Sequence, residues 1–335
     1  MAAYAVAFMS PFTQRALTDY DARGYIALVD AVCDVDDNDE RWDEEEYLFH
    51  LHDPLNVPGI DATQGFFDGG RLVAAGLLRR RSEAIPVHWM FSDGAVHPDY
   101  RGQGVGTRLL HWMEEAAPRI HERCFPSHPL ELAVGALDAN AGAKELFENE
   151  GYEPLRWFFS MKRPEGATLP ESAVPDGLEF ETYTDAVSEE LRVVHNEVFR
   201  DHWRATPQTS ESWGSYIGQN GIQRELTYIL RDRANGEIAG YLVSVFSAAD
   251  FEATGVRDIQ FGLIGTRCGY RRRGVASALI TRAVSESRKS GYQTASLGVD
   301  AENPSGALGL YQANGFECER KYVAYKKMLQ DNRDS

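Results

Sequence analysis

Two stretches of the chain carry residues whose types and spacing suit one piece of chemistry, the holding of a phosphate. Val96-His-Pro-Asp-Tyr-Arg101-Gly102-Gln103-Gly104-Val105-Gly106 and Thr266-Arg-Cys-Gly-Tyr-Arg271-Arg272-Arg273-Gly274-Val275-Ala276 both read Arg-x-x-Gly-x-(Gly/Ala). Small residues let the backbone approach an anion closely. N–H groups at a helix start point at that anion with the helix dipole behind them. No Gly-Lys-(Ser/Thr) follows either stretch, and neither supplies the three glycines of a dinucleotide fingerprint. An extended apolar run precedes each cradle and an amphipathic helix follows it. Val105, Leu109, Leu110 and Met113 share one face, and Val275, Leu279, Ile280 and Ala283 repeat it.

The duplication organises the rest of the chain. Leu132–Gly135 and Leu297–Asp300 read as the next strands. Both copies then run through a helical stretch to a turn glycine, Gly151 or Gly315, and into closing strands that align without a gap. Cradle and turn are farther apart in the first copy, and the excess is assigned to a loop near Ala117–Leu130, which holds Pro118, Pro126 and Pro129. Each copy opens on a short extended segment, Tyr4–Phe8 or Leu178–Tyr183, followed by a helix near Tyr20–Val32 or Ala186–Phe199. The pattern predicts a mixed α/β (α+β) fold present twice, over residues 1–163 and 178–335, with a proline- and glycine-rich linker at 164–177. A chain of 335 residues is long enough for two such cores.

Composition narrows the partners. A net charge of −17 argues against nucleic acid, whose binding needs a basic face, and weakly favours a cationic acceptor. No apolar run reaches membrane-spanning length and the start lacks a basic leader. Cys33, Cys124, Cys268 and Cys318 show no metal-ligand spacing and suit free thiols in a reducing cytoplasm. Cys268, inside a cradle, is expected to be a buried packing residue rather than a reactive thiol. The acidic run from Asp34 to Glu46 offers oxygen ligands at several places of a calcium loop, but Asp39 stands where the sharp turn wants glycine. It reads as an exposed helix–loop face or as a lip facing the acceptor, and no metal is expected.

The cradle between a strand and a helix resembles the acyl-CoA loop of the GNAT acetyltransferase superfamily. The resemblance continues through Asn140 to Gly151-Tyr152 and through Asn303 to Tyr311 and Gly315-Phe316. It implies acetyl-CoA as acyl donor and transfer to the primary amine of a small molecule by direct attack on the thioester. Coenzyme contacts are expected from Ile264, Gly265, Thr266, Arg271, Arg272, Arg273, Gly274, Val275, Ala276 and Asn303. The first copy offers Val96, Arg101, Gly102, Gln103, Gly104, Val105 and Gly106. The family's proton donor to the departing thiolate, a tyrosine four residues before the turn glycine, falls on Tyr311 in the second copy and on Phe147 in the first. A phenol can supply that proton and a phenyl ring cannot.

The second copy is therefore expected to be catalytic. The first is a degenerate copy whose glycine cradle is still expected to hold the coenzyme. The family's water-relaying glutamate falls on Gln260, which cannot be a base. Asp258, two residues earlier on the same strand face, can act through water, or the amine arrives already deprotonated. His88 is the matching position in the first copy, as a base or as a structural histidine. Asp201 and Trp203 are expected to hold and wall the acceptor ammonium; the alternative is that Trp203 packs in the core and Asp201 starts a turn. Two copies with the degenerate one first are similar to the mycothiol synthase group of the superfamily. A coenzyme-sensing regulatory protein without transferase activity is the competing reading of another class.

Overall fold

A computed structural model describes residues 12–170, 172–200, 202–302 and 306–331. The expected strand Tyr4–Phe8 lies outside those residues, as do Asp201 and Asn303. The chain divides into two compact units, one of Met1–Ala136, Asn140–Pro154 and Tyr325–Ser335, the other of Leu137–Ala139 and Leu155–Ala324.

In order along the chain, the first unit contains β1 (Thr13–Arg15), α1 (Ala22–Asp36), α2 (Glu44–Leu51), β2 (Thr63–Asp68), β3 (Arg71–Arg80) and β4 (His88–Val96). It continues with α3 (Val105–Cys124), β5 (Leu130–Leu137) and α4 (Ala141–Asn149). Its strands lie in sequential order, antiparallel until the parallel β4–β5 pair. The predicted apolar face of α3 is buried through Val105, Leu109, Leu110 and Met113.

The helix then runs on where a loop was expected, because Ala116, Ala117, Ile120 and His121 keep the same face buried. Pro118 sits inside it. Losing one backbone hydrogen bond there costs less than exposing two more turns of core. The extra length of the first copy is thus helical.

The second unit holds β6 (Glu153–Arg163), β7 (Leu178–Thr182), α5 (Ser188–Val198), α6 (Ser210–Ile217), β8 (Tyr228–Asp232), β9 (Ile238–Val245), α7 (Ala248–Thr254) and β10 (Asp258–Thr266). After these come α8 (Val275–Lys289), β11 (Thr294–Asp300), α9 (Ala307–Ala313) and β12 (Glu317–Gln330). Its strand order is β6-β11-β10-β9-β8-β7, with β10 and β11 parallel. Helices cover both faces. Ala239 and Leu242 of β9 pack in the cluster with α8, while Tyr241 and Val243 pack with α5 and α6. A strand buried on both sides reads as an unbroken apolar run, as Ile238–Val243 does.

The closing strands do not stay with the copy they end. β6 pairs antiparallel with β11 from Ala295↔Arg163 to Asp300↔Phe158, inside the second unit. The end of β12 belongs to the first, where Tyr325 Oη donates to Glu148 at 2.9 Å and Lys327 Nζ to Glu114 at 2.8 Å.

Candidate active site

The two cradles have one backbone. A single 3-10 turn at Pro98–Tyr100 or Cys268–Tyr270 leads to an extended arginine, with φ −69° and ψ 156° at Arg101 and φ −64° and ψ 153° at Arg271. Two left-handed residues follow, Gly102 (φ 69°) and Gly104 (φ 75°) in one copy, Arg272 (φ 61°) and Gly274 (φ 84°) in the other. The helix starts on the next residue, and no side chain caps it at Gly104 or Gly274. The first N–H groups of α3 and α8 therefore have no partner inside their helices and lie beside exposed residues. A tyrosine steadies each turn: Tyr100 Oη donates to Asp68 at 2.8 Å and Tyr270 Oη to Asp232 at 2.9 Å. Cys268, expected to be buried, is exposed, because the turn that carries it stands at the open surface.

The strand feeding the second cradle leaves regular pairing partway along. β10 and β11 pair only from Asp258↔Thr294 to Gln260↔Ser296, after which the ladder between them stops. At that point β10 bulges. Phe261 faces Ser244 and Leu263 faces Val243, so Gly262 is the extra residue and has no partner in the ladder. Ile259 and Phe261 are buried while Gln260 and Gly262 are exposed, so the expected alternation holds up to the bulge.

Both carboxylate oxygens of Asp258 accept short hydrogen bonds from the Thr294 and Ser296 hydroxyls. That use ties β10 to β11 at the root of the opening. Tyr311 lies on α9 with its ring against Phe316, centroids 6.3 Å apart, and is 8% exposed. Burial pushes its phenol up to about 12, so near neutral pH it keeps its proton.

On the side of α5 and α6, Trp203 is half-buried, 5.8 Å from the Phe158 ring, with the Arg156 guanidinium 5.1 Å above its own. Arg156 Nε also binds both oxygens of the buried Asp300 at 2.8 Å. The face of Trp203 expected to receive a substrate ammonium thus already carries a protein cation.

The first copy departs at each of these points. β4 pairs with β3 from Ala74↔Val96 to Arg80↔Met90 without a register shift. Phe147 packs against Tyr325 with centroids 5.5 Å apart. His88 is fully buried, its Nδ1 2.8 Å from that of His121, and burial, reinforced by the charge of His121, pushes it down to about 3. Of its two expected readings, the structural one fits this geometry.

The acetyltransferase (GNAT) domain model matches residues 64–154, and the acetyltransferase (GNAT) family model matches residues 189–316, together well over half the chain. The chain belongs to the GNAT acetyltransferase family. It is a tandem GNAT protein, similar to proteins named mycothiol acetyltransferase. One from Paenarthrobacter aurescens (strain TC1) is 24% identical over 229 residues, 66% of this chain and 65% of that protein. Another, from Beutenbergia cavernae, is 27% identical over 240 residues, 69% of this chain and 74% of its own length. The chain thus spans just under two thirds of the first relative.

Solved structures agree on the fold. The GCN5-related N-acetyltransferase from Sphaerobacter thermophilus superposes with a TM-score of 0.77 at 24% identity, covering 97% of this chain and 98% of that one. A tandem GNAT protein from the clavulanic acid biosynthesis pathway gives 0.70 at 15% identity, with 96% and 99% covered.

The GNAT frame also brings in residues that sequence spacing did not single out. Tyr216 of α6 points its hydroxyl at the bulge, where a Cβ added to Gly262 would lie 2.9 Å from Tyr216 Oη. Burial holds its phenol well above the usual range. Arg163 of β6 is 2% exposed and donates Nε to the Asn314 carbonyl at 3.0 Å, fixing the turn that ends the Tyr311 helix. Among the described residues no group of acidic, histidine or cysteine side chains is arranged to hold a metal ion, and no helix is long and apolar enough to cross a membrane.

Proposed function

We propose that the second unit transfers an acetyl group from acetyl-CoA to the primary amine of a small molecule. The observation that carries this reading is the bulge of β10 at the point where β10 and β11 part, on the strand that leads into a basic, uncapped cradle. The cradle fits a diphosphate: the N–H groups at the start of α8 are presented beside Arg271, Arg272 and Arg273, all exposed. Acetyl-CoA, when bound, supplies the reactive thioester. Tyr311, neutral and buried, donates a proton or hydrogen bond to the departing sulfur. Gln260 presents an amide rather than a carboxylate on the open face, and Asp258 is engaged with two hydroxyls, so the acceptor enters as the free amine and is oriented rather than deprotonated by this strand. The second half of the site, beyond β11, is walled by Trp203, Phe158 and Arg156.

Release of free thiol from acetyl-CoA across a panel of amines, with the acetylated product identified by mass spectrometry, tests this reading. Coenzyme binding without thiol release from any amine would favour a sensor instead. A second reading, mycothiol synthesis itself, is favoured by the relatives' shared name. Turnover of the desacetyl precursor of mycothiol at an ordinary enzymatic rate, above every other amine tested, would decide for it.

A further inference from the structure

We infer that the first cradle is closed to coenzyme by the chain's own Asp36, so that each chain binds coenzyme A once, at the second cradle. The second half of that statement rests on the function proposed above. The first half stands on the geometry of the first unit alone.

Helix α1 is 15 residues long, whereas α5, its counterpart in the second copy, has 11. The extra turn delivers Asp36, the last residue of α1, to the cradle. Its carboxylate accepts from Arg101 through both oxygens, Nη1 at 2.7 Å and Nη2 at 2.9 Å, and from Asn140 Nδ2 at 3.2 Å. A planar guanidinium gripped fork-to-fork has its best donors spent. Asn140 is spent as well, because its other amide atom caps α4 by accepting from Ala143 N at 3.0 Å. The motif arginine and the helix-capping asparagine of the first copy are therefore held by a carboxylate that is itself only 14% exposed.

A diphosphate arriving there would meet a fixed like charge. Displacing Asp36 would leave that carboxylate unpaired in a mostly dehydrated place. The second cradle is built the other way. Arg101 Nε and Arg271 Nε both reach back to a carbonyl five residues earlier at 3.3 Å, so the two arginines start alike. Among the described residues, however, no carboxylate is hydrogen-bonded to Arg271, Arg272 or Arg273, and Arg273 instead lies over the Tyr270 ring at 5.2 Å.

Titration calorimetry of the full chain with coenzyme A tests the assignment. One equivalent is expected for the unaltered chain, none for Gly274→Glu, two for Asp36→Ala and one for the double variant. Asp36→Asn, which keeps the side-chain volume and removes the charge, is expected to add the same second site more weakly. It decides the matter if the alanine variant does not fold. Two equivalents in the unaltered chain, or one retained by Gly274→Glu, overturns the inference, as does failure of both folded Asp36 variants to gain a site. Should the unaltered chain bind nothing and acetylate no amine, the transferase reading fails by itself. A site gained by Asp36→Ala in that case still supports closure of the first cradle, and no gain overturns it.

Discussion

In the second unit, the strand entering the cradle bulges at Gly262, the cradle carries three exposed arginines, and the helix before the turn carries Tyr311. In the first unit the matching strand runs straight, the single cradle arginine is clasped by Asp36, and the helix carries Phe147. Yet the 3-10 turn, the left-handed pair and the buried faces of α3 and α8 agree between the copies nearly residue for residue. The backbone frame follows from packing side chains and left-handed turn residues, which both copies keep. The few groups on which the proposed chemistry depends are not needed for that frame, and these differ.

The sharpest way to break this contrast is to damage each cradle in turn. Gly274→Glu is expected to abolish coenzyme binding and activity, because a carboxylate would enter the diphosphate site, while Gly104→Glu leaves both unchanged. Both glycines have positive φ, so similar backbone strain on the order of 1 kcal/mol in each variant makes the pair its own control for stability. Equal losses of activity in steady-state assays would erase the distinction.

Next in size, Tyr311→Phe should lower kcat by roughly 10²–10⁴-fold, as for a lost acid, with little change in coenzyme affinity. Phe147→Tyr should gain nothing. An unchanged kcat in Tyr311→Phe would move the proton donor elsewhere.

Acid tests the buried histidines of both units. Burial pushes His50 and His88 of the first unit down to about 3 and His195 of the second to about 4. Each folded-state value lies below the unfolded value near 6.5. The unfolded chain therefore binds more protons between those limits, and stability that is full above about pH 6.5 is lost as the pH falls toward 4. Each buried histidine is expected to weaken its unit by roughly 2 kcal/mol between pH 7 and 4.5, while in the first unit Glu40, which burial pushes up to about 7, offsets part of that loss by taking up its proton first in the folded state. Hydrogen exchange resolved by segment would show faster exchange around His88 and His195 at pH 4.5 than at pH 7, and unchanged exchange would refute it. The smallest effect expected is about tenfold in kcat/KM for Tyr216→Phe, the size of one hydrogen bond to a bound group lost beside the bulge. No loss would mean that its hydroxyl faces no reacting group.

Much of this was legible in the sequence. The cradles were readable because an anion site built from backbone N–H groups constrains local spacing, and the amphipathic period placed α3 and α8. Tertiary packing decided what local pattern misjudged. Pro118 suggested a break that the buried face around Ala116 and Ile120 overrode. The exchange of closing strands was invisible, because β6 and β12 align so well that neither sequence says which sheet takes it. The bulge arises from the register of β10 against β9, and Gly262 by itself announces nothing. Asp258 stands out in the sequence for its position on the open face, while its two partners lie a strand away at Thr294 and Ser296. In the sequence Asp36 is one member of an acidic run, and in the fold it meets Arg101 across 65 residues of chain.

A crystal structure of the full chain with coenzyme A bound puts the central contrast to its most direct test. The diphosphate is expected against the N–H groups at the start of α8, with the sulfur in hydrogen-bonding reach of Tyr311 Oη and Asp36 still clasping Arg101. A coenzyme seated at the start of α3 with its sulfur beside Phe147, or a sulfur in the second unit pointing away from Tyr311, would contradict the account.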